Sequence, residues 1–144
     1  MPERADCLRT ATGYWLETVF YVFEYIRSGT RPWAAIGNFI DDWQGSTTSN
    51  EQRQAMVDDP ISDAGADPEL HRWAAFCAAM TEELCTKSGI AVPAWTARPE
   101  YCLAEPWYLY PGKHPEVRAW QEETSPLPFK RRNIMGGDRI LLRA

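Results

Sequence analysis

The sequence contains few of the residues from which metal centres and covalent cross-links are built. It has two histidines, and its four cysteines, at positions 7, 77, 85 and 102, include no pair separated by only two residues. The common zinc sites need closely spaced Cys or His ligands, and disulfide frameworks are typical of oxidising compartments. We therefore expect four free thiols, no metal, no cofactor and a cytoplasmic location.

Long apolar runs are also missing. The most apolar segment, residues 14–26, is interrupted by Glu17 and Glu24, so it is a poor candidate for a membrane span. The chain starts without a basic segment followed by an apolar core, and we expect no signal peptide. With 144 residues, of which 44% are hydrophobic and 24% charged, the chain is predicted to form one domain over residues 1–144.

Helical periodicity dominates the first part of the sequence. Residues 5–28 carry apolar side chains on one helical face, and Gly29 follows as a stop signal. Residues 32–43 and 51–57 repeat the helical spacing. The pattern predicts three amphipathic helices, the first of them continuous from residue 5 to residue 28.

The best-specified helix comes next, because both of its ends carry signals. Asp67 is placed to cap the first turn, Pro68 suits the first helical position, and Gly89 follows the last turn. We therefore predict a mainly α protein whose compact helical bundle covers about residues 5–88. The remainder, about residues 90–144, is rich in proline and aromatic residues and is predicted to be an irregular arm in which part of the chain can form β structure.

The two longest predicted helices have large apolar faces that must cover each other. We expect their buried side chains to form the main core, which then contains Trp15, Val19, Phe23, Trp73, Phe76 and Met80.

Candidate catalytic residues are few. Cys77 and Cys85 share a face of the predicted long helix and are interpreted as core residues. Cys102 and His114 could act as nucleophile and base, but no third residue is evident to orient the imidazole. Four pairs of adjacent acidic residues point about 100° apart on a helix and are interpreted as solvated surface: Asp41–Asp42, Asp58–Asp59, Glu82–Glu83 and Glu122–Glu123.

Two stretches are better candidates for a binding surface, and the first is aromatic. In residues 104–111, AEPWYLYP, the side chains of Trp107, Tyr108 and Tyr110 lie in a loop framed by prolines. They can cover one end of the helical core, or they can be exposed anchors for a protein partner. The sequence leaves both interpretations open.

The second stretch is basic. Residues 1–125 hold ten Lys or Arg and nineteen Asp or Glu, a balance of −9, whereas residues 126–144 hold five basic residues and one acidic residue, a balance of +4. Lys130, Arg131 and Arg132 are bracketed by apolar residues, so we expect a folded turn that points these three outward. They can meet an acidic or phosphate-bearing partner, or they can neutralise the acidic remainder of the chain.

The order of three segments, VPAWT, LAEPWY and SPLPFKRRNIMGGDRILLRA, resembles a carboxy-terminal module of bacterial, mainly actinobacterial, proteins of the antitoxin and regulator kind. The resemblance covers about residues 67–144. Its motif positions fall on Trp95, Pro106, Trp107, Phe129, Arg131, Arg132 and Asn133. In such proteins the module often follows a helix-turn-helix domain, and some stand beside nucleotidyltransferase-like toxins. No helix-turn-helix segment is evident here, so we do not expect direct DNA binding.

The resemblance and the two stretches together predict a non-catalytic, antitoxin-like protein that binds and neutralises a toxin. The predicted contact residues are Trp107, Tyr108, Tyr110, Lys130, Arg131, Arg132 and Asn133. Two alternatives remain at this point: a small enzyme acting on a phosphorylated or other small substrate, and a DNA-associated regulator.

Overall fold

The computed structural model describes residues 3–142, which form a mainly α structure with a very short parallel sheet, as predicted. The helices within this range are α1 (Val19–Arg27), α2 (Pro32–Gly45), α3 (Asn50–Val57), α4 (Pro68–Ser88), α5 (Pro115–Thr124) and α6 (Leu127–Lys130). The strands are β1 (Trp107–Tyr108) and β2 (Ile134–Met135), and 3₁₀ turns cover Asp6–Leu8, Ala94–Ala97 and Pro99–Tyr101.

Helix α4 is the central element, and its ends follow the predicted signals. The Asp67 carboxylate accepts a hydrogen bond of 2.9 Å from the Glu69 amide, and Gly89 ends the helix in the left-handed conformation with φ 69°. Most side chains from Trp73 to Cys85 are buried, on nearly all sides of the helix. Helix α4 therefore packs against α1 and α3 of the helical core and also against α6 and two 3₁₀ turns of the arm.

The prediction of one helix over residues 5–28 is wrong. A 3₁₀ turn is followed by an antiparallel bridge between Arg9 and Trp15, and α1 begins only at Val19. The Thr18 side chain caps this helix by accepting from the Tyr21 amide. Leu8 and Leu16, which precede this helix, are still buried, which explains why the helical pattern of apolar residues extended beyond the helix.

The predicted core is confirmed except at one position. The side chains of Val19, Phe23, Trp73, Phe76 and Met80 are all buried. Trp15 is only partly buried, because it lies in the bridged segment outside α1.

The arm is held on α4 by aromatic contacts and by the sheet. The Phe129 ring centroid lies 5.2 Å from that of Phe76, and the Trp107 ring lies edge-on to Trp73 at 4.9 Å. In the sheet, Trp107 pairs with Ile134 and Tyr108 pairs with Met135. These contacts join the segments around Trp107 and Phe129 to each other and to the helical core.

No helix of the described residues has the length and apolarity needed to cross a membrane.

Candidate functional site

Trp107, the first of the predicted partner anchors, mainly covers the core. Its indole is half-buried against Trp73, and the Arg72 guanidinium lies 5.7 Å from its ring centroid. Its amide donates a 2.7 Å hydrogen bond to the carbonyl of Asn133. This residue therefore performs the first of the two roles that the sequence allowed, attachment of the arm to α4.

Tyr108 is half-buried and has two charged neighbours. Its hydroxyl donates to the Glu122 carboxylate, and the Arg118 guanidinium lies 4.6 Å from its ring centroid. The hydrogen bond to Glu122 raises the pKa of the phenol, because that bond favours the protonated form. The side chain is thus held on α5 by local contacts.

Tyr110 is the exposed aromatic residue of this loop. Its amide donates to Gln121 Oε1 at 3.0 Å, and Gln121 Nε2 donates to its carbonyl at 3.2 Å. These two bonds fix the backbone, while the ring, tilted on Trp120 at 5.8 Å, leaves about half of the side chain accessible to solvent. Of the three aromatic residues, Tyr110 best fits an exposed anchor.

The expectation that all three basic residues point outward is wrong for Arg132. Its guanidinium donates to Glu82 Oε1 at 2.8 Å, to the Pro128 carbonyl at 2.7 Å and to the Thr96 carbonyl at 2.9 Å. Only 9% of its side chain is exposed. Arg132 follows the single turn of α6, which directs it back toward α4, and it ties α4, α6 and the 3₁₀ turn around Thr96 together.

The neighbouring residues differ sharply from Arg132. Arg131 also pairs with Glu82, but 54% of its side chain is exposed. Lys130 is half-buried. Asn133 adopts a left-handed conformation with φ 63°, which Asn tolerates better than most residues, and its side-chain amide donates to the Leu103 carbonyl. Arg131 is therefore the accessible cation of this turn, and Asn133 is occupied within the arm.

A buried polar network on α5 holds the last part of the arm. The Ser125 hydroxyl donates to the Gln121 carbonyl and accepts from the amides of Gly136 and Gly137 at 2.8 and 2.9 Å. The hydroxyl thus reaches the distant glycine pair and does not cap the turn that follows Pro126. The network fixes where the chain goes after β2.

The glycine pair allows close packing of the backbone, and the requirement for glycine is strictest at Gly137. A Cβ atom on Gly137, whose φ is 78°, would lie 2.2 Å from the Trp120 ring, and one on Gly136 would lie 2.6 Å from the Leu109 side chain. The pair lets the backbone lie against these side chains. Its role is therefore packing of the turn after β2.

A cleft of about 290 Å³ lies where this turn meets α2. We call it the arm cleft. It is lined by Trp33, Ile36, Gly37, Ile40, Leu109, Tyr110, Gly136, Arg139, Ile140 and Leu142. Trp33, Tyr110 and Leu142 expose much of their side chains, although the Trp33 ring also touches Trp73 and Phe76 edge-on at 5.3 and 5.4 Å. The cleft therefore combines exposed apolar side chains with polar surface, and the contacts of Trp33 with Trp73 and Phe76 support one of its walls.

Arg139 is the charged residue of the arm cleft. It is exposed, and within residues 3–142 no hydrogen bond or ion pair engages its guanidinium. Arg139 stands apart from the basic run, and the spacing of Trp33 matches the apolar stripe of α2, so neither residue is marked as part of a binding site by its sequence context. Their proximity depends on the packing of α2 against the end of the arm, and no local signal reports it.

The arm cleft and the basic turn are separate surfaces. Arg131 and Arg132 line another depression together with Cys102, and that depression shares no lining residue with the arm cleft. The Cys102 thiol donates to the Arg131 carbonyl at 3.3 Å, and His114 is not among the residues that line the depression. The structure thus gives no support to the Cys102 and His114 pair as nucleophile and base.

Residues of the acidic pairs also have structural roles, as Glu122 does toward Tyr108. Asp42 is buried and accepts from the Tyr14 hydroxyl and from the Glu17 amide, so the expectation of a solvated side chain is wrong there. Glu82 binds both Arg131 and Arg132.

Cys77 and Cys85 are buried as predicted, and burial raises the pKa of each thiol to about 12. Among the described residues, no group of three or more His, Cys, Asp and Glu could hold a metal ion.

No protein-family model, curated protein or solved structure matches this chain. The resemblance of its motifs to an antitoxin-like module therefore stays a prediction. The site has to be interpreted from its own geometry.

Proposed function

We propose that this chain is a non-catalytic protein-interaction domain that binds its partner through the arm cleft. The observation that carries the proposal is that three exposed side chains, Trp33, Tyr110 and Leu142, line one cleft with the exposed Arg139, whose guanidinium has no hydrogen bond or ion pair within residues 3–142. Contiguous exposed apolar surface with a polar rim is typical of protein interfaces, and Trp, Tyr and Arg are the residues that most often dominate their binding energy.

The chemistry of the cleft defines the partner segment. Its apolar side chains favour a segment that buries Leu, Ile or aromatic residues, and the exposed Arg139 guanidinium favours a carboxylate placed beside them. An acidic, amphipathic segment of another protein meets both requirements.

The wall of the cleft is rigid before binding. Tyr110 is held at both of its backbone polar groups by Gln121, and the glycine pair is held by Ser125. A preformed surface loses less conformational entropy when a partner binds. This supports a role in stable recognition.

The specific role proposed is that of an antitoxin-like protein in the cytoplasm, with a nucleotidyltransferase-like toxin encoded beside it as the partner. The motif resemblance supports this identity. The four free cysteines fit a reducing compartment.

The experiment is co-expression with the protein encoded by the neighbouring gene, followed by affinity purification and calorimetry. Leu142→Asp and Arg139→Glu are the test variants. Leu127→Asp is the matched control, because Leu127 is 63% exposed and Leu142 is 67% exposed, yet Leu127 does not line the cleft.

We expect each cleft variant to weaken the complex by about tenfold or more, since a buried apolar anchor or a charged contact at an interface is worth at least about 1.4 kcal/mol. The control should bind like the unmodified protein. A complex that tolerates both cleft variants would place the interface elsewhere. Purified protein that shifts duplex DNA, or that turns over a phosphorylated substrate, would support one of the alternative functions instead.

A further inference from the structure

The depression beside the basic turn has an excess of positive charge. It has a volume of about 430 Å³ and lies between the segment that follows α4 and the turn that follows α6. Its charged lining residues are Arg98, Arg131, Arg132 and Glu82, three cations and one anion. We call it the arginine depression. Its excess of two positive charges occurs on a chain whose net charge is −5.

The single carboxylate is already shared between two guanidinium groups. Glu82 binds Arg132 through Oε1 and Arg131 through Oε2. Arg132 uses its other donors on the Pro128 and Thr96 carbonyls, so it is committed to the fold. Arg131 is more than half exposed, and apart from Glu82 its guanidinium has no hydrogen-bond partner within residues 3–142. It therefore keeps donors for a ligand.

Arg98 supplies the second accessible cation. It is exposed and it lines the depression beside Tyr101. Burial raises the pKa of the Tyr101 phenol, and Arg98 opposes this shift as a hydrogen-bond partner and through its charge. It lies between the 3₁₀ turns Ala94–Ala97 and Pro99–Tyr101. The first turn is anchored by Trp95, whose indole donates to the Val57 carbonyl at 2.9 Å. The Arg131 backbone is likewise fixed, with its amide bound to Leu127 and its carbonyl accepting from the Cys102 thiol. The bases of both side chains are therefore held in place around one concave surface.

We propose that the arginine depression binds a phosphate group through Arg98 and Arg131. A phosphate monoester carries close to two negative charges at neutral pH, which equals the excess of positive charge among the lining residues. The planar guanidinium forms paired, charge-assisted hydrogen bonds with phosphate oxygens. This site is separate from the arm cleft and does not depend on the function proposed for it.

The test is a titration of the isotopically labelled full chain with inorganic phosphate at constant ionic strength, followed by amide chemical shifts. We expect saturable shifts confined to the segments around Arg98 and Arg131. Arg98→Gln and Arg131→Gln should each weaken binding by about tenfold, because each removes a charge-assisted contact. Arg118→Gln is the control, since Arg118 is an exposed arginine that lies outside this depression.

A second arm of the experiment distinguishes the source of the phosphate. A short peptide with one phosphoserine is titrated beside its unphosphorylated form. Tighter binding of the phosphopeptide than of inorganic phosphate would assign the site to a phosphorylated protein segment, and equal binding would assign it to a small phosphorylated compound. Shifts that do not saturate, or that weaken equally in Arg118→Gln, would overturn the proposal. Circular dichroism of each variant confirms that the fold is intact before binding is compared.

Discussion

Arg131 and Arg132 are adjacent in sequence, and we predict opposite consequences when each is replaced by alanine. Arg132→Ala leaves the Pro128 and Thr96 carbonyls without their donor, in a site where 9% of the arginine side chain was exposed. A buried polar group without a partner costs about 1–3 kcal/mol, and breaking a buried ion pair costs about 3–5 kcal/mol. Glu82 keeps Arg131 as a partner, so the cost of the unpaired carbonyls and the cost of the broken ion pair are not fully additive. We expect Arg132→Ala to lower the free energy of unfolding by about 3–5 kcal/mol.

The same substitution at Arg131 should have little effect on stability. Its pair with Glu82 lies at the surface, and exposed pairs contribute about 0–1 kcal/mol. Arg132→Lys is a useful third variant. It keeps the charge, but one ammonium group cannot reproduce a guanidinium that reaches three separate acceptors, so we expect a loss of roughly half that of Arg132→Ala.

Urea denaturation followed by tryptophan fluorescence measures these differences. With a slope of about 2 kcal/mol per molar urea, a loss of 4 kcal/mol lowers the midpoint by about 2 M, which is easily resolved. Small domains have free energies of unfolding of only about 5–15 kcal/mol. If Arg132→Ala does not fold, the urea midpoint of Arg132→Lys is compared with that of Arg131→Ala. Equal midpoints for Arg131→Ala and Arg132→Ala would refute the assignment of Arg132 as a buried tie between α4 and the arm.

Three further predictions concern the core, the glycine pair and the thiols. Trp73→Ala should cost about 3–5 kcal/mol by thermal or urea denaturation, since its ring is buried among aromatic neighbours; an unchanged melting temperature would contradict the core assignment. Gly137→Ala should lower the free energy of unfolding by about 2 kcal/mol or more, because the backbone there has a positive φ and the added methyl group would collide with the Trp120 ring. Gly45→Ala is the control: Gly45 has open space around it, and we expect a change of less than about 1 kcal/mol. Iodoacetamide at pH 8 should spare Cys77 and Cys85, because the reactive thiolate of each forms only near pH 12; mass spectrometry should detect their labelling only after unfolding.

Local signals predicted α4 well because its ends are determined by the residues at them. Asp67 caps one end through its own side chain, and Gly89 ends the other in a conformation that few residues adopt. The start of α1 was missed for the opposite reason. The amide of Glu17 is bound by Asp42, a residue of α2 that is distant in sequence, and this tertiary bond holds the preceding segment outside the helix.

The candidate site was predicted only in part. Tyr110 lies in one of the two stretches that the sequence singled out, and its side chain is exposed, because a loop framed by prolines cannot bury every large ring. Arg139 and Trp33 were missed, since they join Tyr110 only when α2 and the end of the arm pack together. The basic run could not reveal which arginine is buried. That choice depends on the single turn of α6, which sends Arg132 inward and leaves Arg131 at the surface.

The most direct test of the proposed function is the affinity between this chain and the protein encoded by its neighbouring gene, measured with the arm cleft intact and altered. Hydrogen exchange of the same samples locates the interface. We predict a one-to-one complex that protects the amides around Trp33 and those from Gly136 to Leu142, that is lost in Leu142→Asp and is kept in Leu127→Asp. Equal affinity of the two variants, or protection confined to surfaces away from the cleft, would contradict the account.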